Sequence, residues 1–174
     1  MTQAPSQRTL AARDLAEHLI HGELRDLDAQ DWEVWLARFH AEVEYWVPAW
    51  RQGLAPTNDP GSEISLIYCD SRHGLEERVR RLISQRSPAS TPPRRTAHLA
   101  GNVLAEWQDD GSVVATAVFQ TFQYDWVERR EHGFFGQSRY RFVPNGTGDG
   151  WLIRQKRQVL LNDALPGMLD FYLL

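Results

Sequence analysis

The spacing of apolar residues in the first half of the chain predicts three helices. From Arg8 to about Leu27, apolar residues recur mainly at intervals of three and four, as on one face of a helix: Leu15, Leu19, Ile20, Leu24 and Leu27. The next set has the spacing i, i+3, i+4 and i+7, with Asp28 available as the helix cap: Trp32, Trp35, Leu36 and Phe39. A third stripe predicts a helix that ends before Ser87: Leu75, Val79, Leu82 and Ile83.

Alternation of apolar and polar residues predicts strands elsewhere. The segment Glu42–Val47 alternates with period two, which places Val43, Tyr45 and Val47 on one face of a short strand. Residues 48–61 are rich in Pro and Gly and are predicted to form an ordered loop. Four longer segments are rich in Val, Thr and aromatic residues and are separated by turn sequences: Thr96–Trp107, Ser112–Val127, Phe134–Val143 and Trp151–Leu161.

The order of these elements predicts an α+β fold. Helices come first, and a meander of long antiparallel strands follows, so the helices are expected to close the concave face of a strongly curved sheet and form a cone with an internal cavity. Long strands must bend, and three glycines are candidate bulge or bend positions: Gly101, Gly133 and Gly136. Residues 1–7 are expected to be a flexible tail, and residues 8–174 a single domain.

Composition excludes several classes of function. The formal net charge of −4 has mixed signs, which gives no general attraction to nucleic acid or to an anionic membrane. No apolar run reaches the length of a membrane span, and the polar start lacks the apolar core of a signal peptide, so a cytoplasmic protein is expected. A single cysteine, Cys69, excludes an internal disulfide framework.

Candidate catalytic and metal-binding residues have simpler structural explanations. Glu17, His18 and His21 have the composition of a non-haem iron site, but their side chains diverge around a polar side of the first helix. Arg95 and His98 fall on opposite faces of one strand, which argues against a catalytic dyad. A cavity acid or base could still come from a set of polar residues: Tyr45, Tyr68, Asp70, His98, Asp125 and Glu128.

Several motifs, taken in order and spacing, resemble the small (β) subunits of aromatic-ring-hydroxylating dioxygenases. They are Trp32-x-x-Trp35 with Phe39, Tyr45-Trp-Val-Pro-Ala-Trp50, Ser62-Glu-Ile-Ser-Leu-Ile-Tyr68, Asp70-x-Arg72 with Leu75-Glu-x-Arg78, Arg95-Thr-x-His98 and Leu160-Leu-Asn-Asp163. The second and third look most like the benzoate, halobenzoate and anthranilate enzymes. The resemblance implies the fold of the nuclear transport factor 2 (NTF2)-like proteins, which agrees with the order of elements.

The resemblance also implies a role without catalytic residues, cofactor-binding residues or metal ligands in this chain. A Rieske 2Fe–2S centre takes two Cys and two His, and this sequence has one Cys. The family arrangement implies an α3β3 hexamer whose α subunit holds the Rieske cluster and a mononuclear Fe(II), with electrons from NADH through a reductase. Candidate interface or structural residues are Tyr45, Trp46, Trp50, Tyr68, Asp70, Arg72, Arg95 and His98.

Two alternatives to a structural subunit remain open from the sequence. One is a stand-alone dehydratase or isomerase of the same cone fold, with an acid–base site inside the cone. The other is a homodimer of this fold that binds or transports a ligand. A neighbouring gene for a large subunit with Cys-x-His and Cys-x-x-His motifs would favour the structural subunit.

Overall fold

The computed structural model describes residues 6–51, 55–84, 94–148, 150–162, 165 and 169–174. Three sequence features therefore fall wholly or partly outside the described residues: most of the predicted tail, the Ser/Pro/Thr connector at 87–93, and Asp163 of the last motif. Helix α1 begins at Gln7, inside the predicted tail, and the Ser6 hydroxyl caps it by accepting a hydrogen bond from the Thr9 amide.

The three predicted helices are present: α1 (Gln7–Ala29), α2 (Trp32–Ala37) and α3 (Arg72–Ile83). A short 3-10 helix, Phe171–Leu173, lies near the end of the chain. No helix in the described part of the chain has both the length and the apolar character needed to cross a membrane.

The prediction for the second helix was wrong at both ends. Asp28 does not cap α2, because it belongs to α1; Gln30 ends that helix in the left-handed region at φ 55°, and Asp31 caps α2. Phe39 belongs to the first strand, where it pairs with Ile153. Its spacing from Trp35 is still meaningful, because both rings are fully buried with centroids 4.6 Å apart.

The described residues form eight strands, of which six make one mixed sheet in the order β4-β1-β8-β7-β6-β5, and β2 pairs with β3 separately. The strands are β1 (Phe39–Pro48), β2 (Trp50–Arg51), β3 (Ala55–Pro56), β4 (Ser65–Cys69), β5 (Arg95–Trp107), β6 (Val113–Asp125), β7 (Arg130–Pro144) and β8 (Trp151–Leu160). The four-stranded antiparallel meander is confirmed. Strand β1 joins it by pairing parallel to β8, which the sequence pattern did not indicate.

Of the three candidate bulge or bend positions, Gly101 adjoins a bulge, and the β6–β7 register has no bulge at the other two. The β5–β6 register shifts just after Gly101, where Asn102 has φ 52°, and the bulge reverses which β5 residues face inward. The β6–β7 register runs unshifted past Gly133 and Gly136. At Gly136 the absence of a side chain matters for packing, since a Cβ there would lie 2.0 Å from the Val159 carbonyl oxygen.

The core lies between α1 and the inner face of the sheet. Alternate residues of β6 and β7 are buried there, and α1 packs mainly against β5. The predicted inward face of β1 is confirmed, because Val43, Tyr45 and Val47 are all buried. This layered arrangement of helices on one face of a sheet confirms the predicted α+β class.

Candidate functional site: two polar clusters inside the cone and an apolar outer face

Three of the predicted interface or structural residues have side chains buried within the chain. The Tyr45 hydroxyl lies 3.3 Å from Gln158 Oε1. The Trp46 indole donates to Ser65 Oγ at 2.8 Å, and the Arg157 guanidinium lies 4.7 Å from its ring centroid. The His98 side chain is only 1% exposed. These residues support the fold from inside.

The other five predicted residues reach the surface to different extents. Trp50 is half-buried and donates its indole N–H to the Leu160 carbonyl at 2.6 Å, which ties the loop after β1 to the end of β8. Arg72, at the start of α3, pairs with Glu76 at 3.2 Å. The remaining three, Tyr68, Asp70 and Arg95, are exposed.

The first polar cluster is built around Asp28 on α1 and His98 on β5. Asp28 Oδ1 lies 2.6 Å from His98 Nδ1 and accepts from the Thr96 hydroxyl at 2.9 Å, while Oδ2 accepts from the His98 amide at 3.0 Å. One carboxylate thus binds three groups of one strand. It also fixes the orientation of the imidazole, because Nδ1 carries the proton that faces Asp28; in the neutral form of the ring Nε2 is then an acceptor.

The contacts to Asp28 lower its pKa. Burial alone would raise the pKa of this carboxyl, but the hydrogen bonds from His98 and Thr96 and the charge of His98 outweigh it and hold the pKa below the ordinary value of 3.8. Asp28 is therefore ionised near neutral pH and links α1 to β5.

Polar atoms without partners lie beside His98 on the inner face of the sheet. In the part of the chain that the structure describes, five buried side-chain polar atoms make no hydrogen bond: His98 Nε2, Thr121 Oγ1, Gln123 Oε1, His132 Nε2 and Gln158 Nε2. The first four belong to neighbouring positions, because His98 pairs with Thr121 across β5–β6 and Gln123 pairs with His132 across β6–β7. We call these four residues the His98 cluster.

The second polar cluster surrounds the buried carboxylate of Glu23. Its Oε1 accepts from Lys156 Nζ at 2.7 Å and from the Trp35 indole at 3.0 Å, and its Oε2 accepts from the Tyr140 hydroxyl at 3.1 Å. The two charged side chains are completely buried. We call Glu23, Trp35, Tyr140 and Lys156 the Glu23 cluster.

Burial and pairing act in opposite directions on Lys156. Burial lowers the pKa of its ammonium group, and the neighbouring Glu23 carboxylate partly offsets that change. Lys156 Nζ also lies 5.3 Å from the Tyr45 ring centroid and 5.7 Å from that of Tyr140. These contacts hold the ion pair of Lys156 and Glu23 in the buried core.

Sequence reasoning missed the Glu23 cluster and identified only His98 of the other cluster, although each left a signal. Glu23 stands within the apolar stripe of α1, between Ile20 and Leu27, which is unusual for a carboxylate. Lys156 is the only lysine in a sequence whose other basic residues are all arginine. The Asp28–His98 pair left a weaker signal, because nothing local connects residues 70 positions apart.

The candidate metal-binding residues do not come together in the structure. His18 and His21 are both exposed on α1. Among the described residues, no group of three or more His, Cys, Asp or Glu side chains is placed to hold a metal ion. Cys69, the only thiol in the sequence, is buried. The chain's residues do not fit a Rieske centre, which needs two cysteines.

The outer face of the same strands is unusually apolar. Four of its large side chains are between 44% and 58% exposed and lie on neighbouring positions of β5, β6 and β7: Leu99, Val118, Phe122 and Phe135. Next to them an open groove of about 500 Å³ is lined in part by Arg95, Phe122 and Tyr124, and it also reaches Gln123 and His132. We call this surface the outer apolar face. Monomeric proteins seldom expose clustered apolar side chains without a role in association.

The sequence is similar to those of known proteins along most of its length. The chain matches the family described as ring hydroxylating beta subunit over residues 22–167. It is 33% identical over 164 residues to the β subunit of benzoate 1,2-dioxygenase from Acinetobacter baylyi, covering 94% of each chain.

Two solved structures extend the comparison. The benzoate 1,2-dioxygenase β subunit from Burkholderia mallei is 30% identical, with a TM-score of 0.74 over 99% of this chain and 100% of that one. An NTF2-like protein from Novosphingobium aromaticivorans, 16% identical, has a TM-score of 0.60 over 93% of this chain and 91% of that one, which confirms the cone fold. The match across most of the sequence shows that this chain belongs to the family of ring-hydroxylating dioxygenase β subunits.

Proposed function

We propose that this chain is a non-catalytic structural subunit of a dioxygenase that acts on a benzoate-type aromatic acid, and that it supports the assembly of a catalytic α subunit. The observation that carries the proposal is the similarity along nearly the whole chain to benzoate 1,2-dioxygenase β subunits. A β subunit by definition works beside another chain. The proposal treats residues 8–174 as one domain devoted to that role.

The expected division of labour follows from the residues that this chain has. The α subunit would hold the Rieske 2Fe–2S cluster and the mononuclear Fe(II), and a reductase would supply electrons from NADH. A single buried cysteine supports this division, because the ligands of such a cluster must come from elsewhere. We propose an α3β3 stoichiometry on the same family resemblance.

We propose that the outer apolar face is where the α subunit docks. Stable subunit interfaces have apolar centres with aromatic and arginine anchors, and this face combines Phe122, Phe135 and Leu99 with Arg95 at the edge of the adjoining groove. Membership of a β-subunit family supplies the partner. Of the residues predicted from sequence, Arg95 lines the groove beside this face. The others that reach the surface stay candidate interface or structural residues: Trp50, Tyr68, Asp70 and Arg72.

Co-expression tests the proposed assembly. This chain and the large subunit encoded with it should co-purify in equal numbers, and turnover of benzoate with NADH and the reductase should require both. Size-exclusion chromatography with mass measurement gives the stoichiometry. A large subunit that assembles and turns over at full rate without this chain would refute the proposed role.

A charge on the outer apolar face tests the docking surface. Phe122→Asp should abolish co-purification while changing the free energy of unfolding of this chain by less than about 1 kcal/mol, since half of the ring is already exposed. Val34→Asp on α2, an equally exposed apolar residue on another element, is the matched control. If Phe122→Asp assembles normally, or disrupts only contacts between copies of this chain, the α subunit docks elsewhere.

A further inference from the structure

We propose that the inner face of the sheet at the His98 cluster binds a small neutral molecule that carries hydroxyl groups, with a vicinal aromatic diol as the representative ligand. The binding site is formed by this chain alone. The proposal does not depend on the role of the chain in a dioxygenase, and each can fail without the other.

The four side chains of the His98 cluster form a continuous patch. Thr121 and Gln123 are two residues apart on β6 and point to the same inner face, while His98 and His132 are their direct partners on β5 and β7. Directly opposed residues in an antiparallel pair have Cβ atoms about 4.5–5.5 Å apart. A ligand a few ångströms across could therefore reach several of the four polar atoms at once.

The lack of hydrogen bonds at this patch indicates a ligand. Burial without a partner is costly for a polar atom, and native structures leave few such atoms, usually where a water, an ion or a ligand belongs. Here the Thr121 side chain is fully buried and His98 and Gln123 are nearly so, yet the cluster atoms have no partner among the described residues. Four such polar atoms on one patch are too many to be a single isolated packing defect.

The chemistry of these atoms indicates what the ligand must offer. Gln123 Oε1 is an acceptor, and His98 Nε2 is an acceptor in the neutral form of the ring, in which Nδ1 donates a hydrogen bond to Asp28. The Thr121 hydroxyl can donate or accept. A molecule with hydroxyl donors, and with a hydroxyl oxygen to accept from Thr121, satisfies this set. The ring centroid of Phe134 lies 4.6 Å from that of His132, so the patch has an apolar neighbour.

A pocket at the surface adjoins two of the four residues of this patch. It has a volume of about 360 Å³, within the range of small-molecule sites, and its walls include Gln123 and His132. The remaining lining residues are charged, with two guanidinium groups against three carboxylates: Arg94, Arg130, Asp125, Glu128 and Glu131. Arg94 is already paired with Asp125 at 3.5 Å. This balance gives no attraction for a carboxylate ligand and favours a neutral one.

Calorimetric titration of the full chain with catechol, under anaerobic conditions, tests the site. Catechol should bind saturably with one site per chain and a Kd of about 1 mM or tighter, while benzoate should bind at least tenfold more weakly. Absence of saturable catechol binding would mean that the pocket holds water only and would overturn the proposal. Benzoate binding as tight as that of catechol would overturn the neutral-ligand assignment.

Substitutions in the cluster locate the bound catechol. Thr121→Val keeps the shape of the side chain and should weaken binding roughly threefold to tenfold, as expected for one lost hydrogen bond. Thr116→Val, on the outer face of the same strand, is the matched control and should leave the Kd unchanged. Gln123→Leu is a second variant with the same expected loss. Unchanged binding in both cluster variants would place catechol elsewhere and refute the site.

Discussion

The Glu23 cluster and the His98 cluster lie in the same cone, yet they satisfy their polar atoms in opposite ways. The Glu23 carboxylate receives three hydrogen bonds, from an ammonium, an indole and a phenol. The His98 cluster has one end tied to Asp28 and four atoms left without a partner. Both are buried polar groups, so burial by itself does not distinguish a structural network from a binding site.

The two clusters differ in whether all of their buried polar atoms have hydrogen-bond partners. A buried polar network whose members are all bonded stiffens the core and leaves no atom for a ligand. A network in which some polar atoms lack partners leaves donors and acceptors that a bound molecule must satisfy. On this basis we interpret the Glu23 cluster as part of the fold and the His98 cluster as a site. Substitutions should therefore have large effects on stability in the first cluster and small ones in the second.

The largest effect is expected from breaking the ion pair of the Glu23 cluster. Lys156→Met should lower the free energy of unfolding by about 3–5 kcal/mol, because it leaves the Glu23 carboxylate buried without its countercharge. Denaturant titration measures the loss. The double variant Lys156→Met with Glu23→Gln, which removes both charges, should regain part of it. A loss below about 1 kcal/mol for Lys156→Met would contradict the interpretation that this cluster stabilises the fold.

A smaller effect is expected from one donor of the same cluster. Tyr140→Phe removes the hydroxyl that donates to Glu23 and should cost about 1–3 kcal/mol, since a buried carboxylate oxygen loses a partner. Tyr124→Phe on the neighbouring strand is the control, because Tyr124 is only half-buried, and it should be near neutral. Equal stabilities of the two variants would show that Glu23 is not held as described.

Asp28 combines features of both clusters. Both of its carboxylate oxygens accept hydrogen bonds, whereas Nε2 of its partner His98 has no partner among the described residues. Asp28→Asn removes the charged acceptor for His98 and Thr96 and should cost about 1–2 kcal/mol near neutral pH. Since the folded state lowers the pKa of Asp28, the stabilisation is fully present above the pKa of the unfolded chain. It is lost as pH falls through the lower pKa of the folded state.

Denaturant titrations of the wild type and Asp28→Asn at a series of pH values test this linkage. The difference between the two proteins should shrink in the acid range, as pH falls through the folded-state pKa of Asp28. A difference that persists undiminished after the carboxyl is protonated would show that the carboxylate is not stabilised by folding.

The smallest effect on stability is expected in the His98 cluster. Thr121→Val should change the free energy of unfolding by no more than about 0.5 kcal/mol, or raise it, because the hydroxyl it removes is buried without a partner. Thr57→Val is the matched contrast: that buried hydroxyl donates to the Ile64 carbonyl at 3.0 Å, and its loss should cost about 1 kcal/mol. Similar losses in the two variants would show that Thr121 is already satisfied.

The sequence by itself determined the features that depend on neighbours along the chain. Apolar spacing predicted α1 and α3, alternation predicted the inward face of β1, and turn sequences separated the four strands of the meander. These features follow from local periodicity, which a helix or strand expresses wherever it packs. The ordered motifs, such as Tyr45-Trp-Val-Pro-Ala-Trp50, also identified the family before any fold was known.

Only the tertiary structure decided which distant residues meet. The register of β1 beside β8 converts Phe39 from a predicted helix residue to a strand residue, because its backbone finds hydrogen-bond partners there. Glu23 meets Lys156 across 133 positions, and Asp28 meets His98 across 70. Such contacts depend on how the sheet curves around α1, and neither periodicity nor composition encodes that geometry. The difference between a satisfied and an unsatisfied polar cluster is therefore a property of the fold alone.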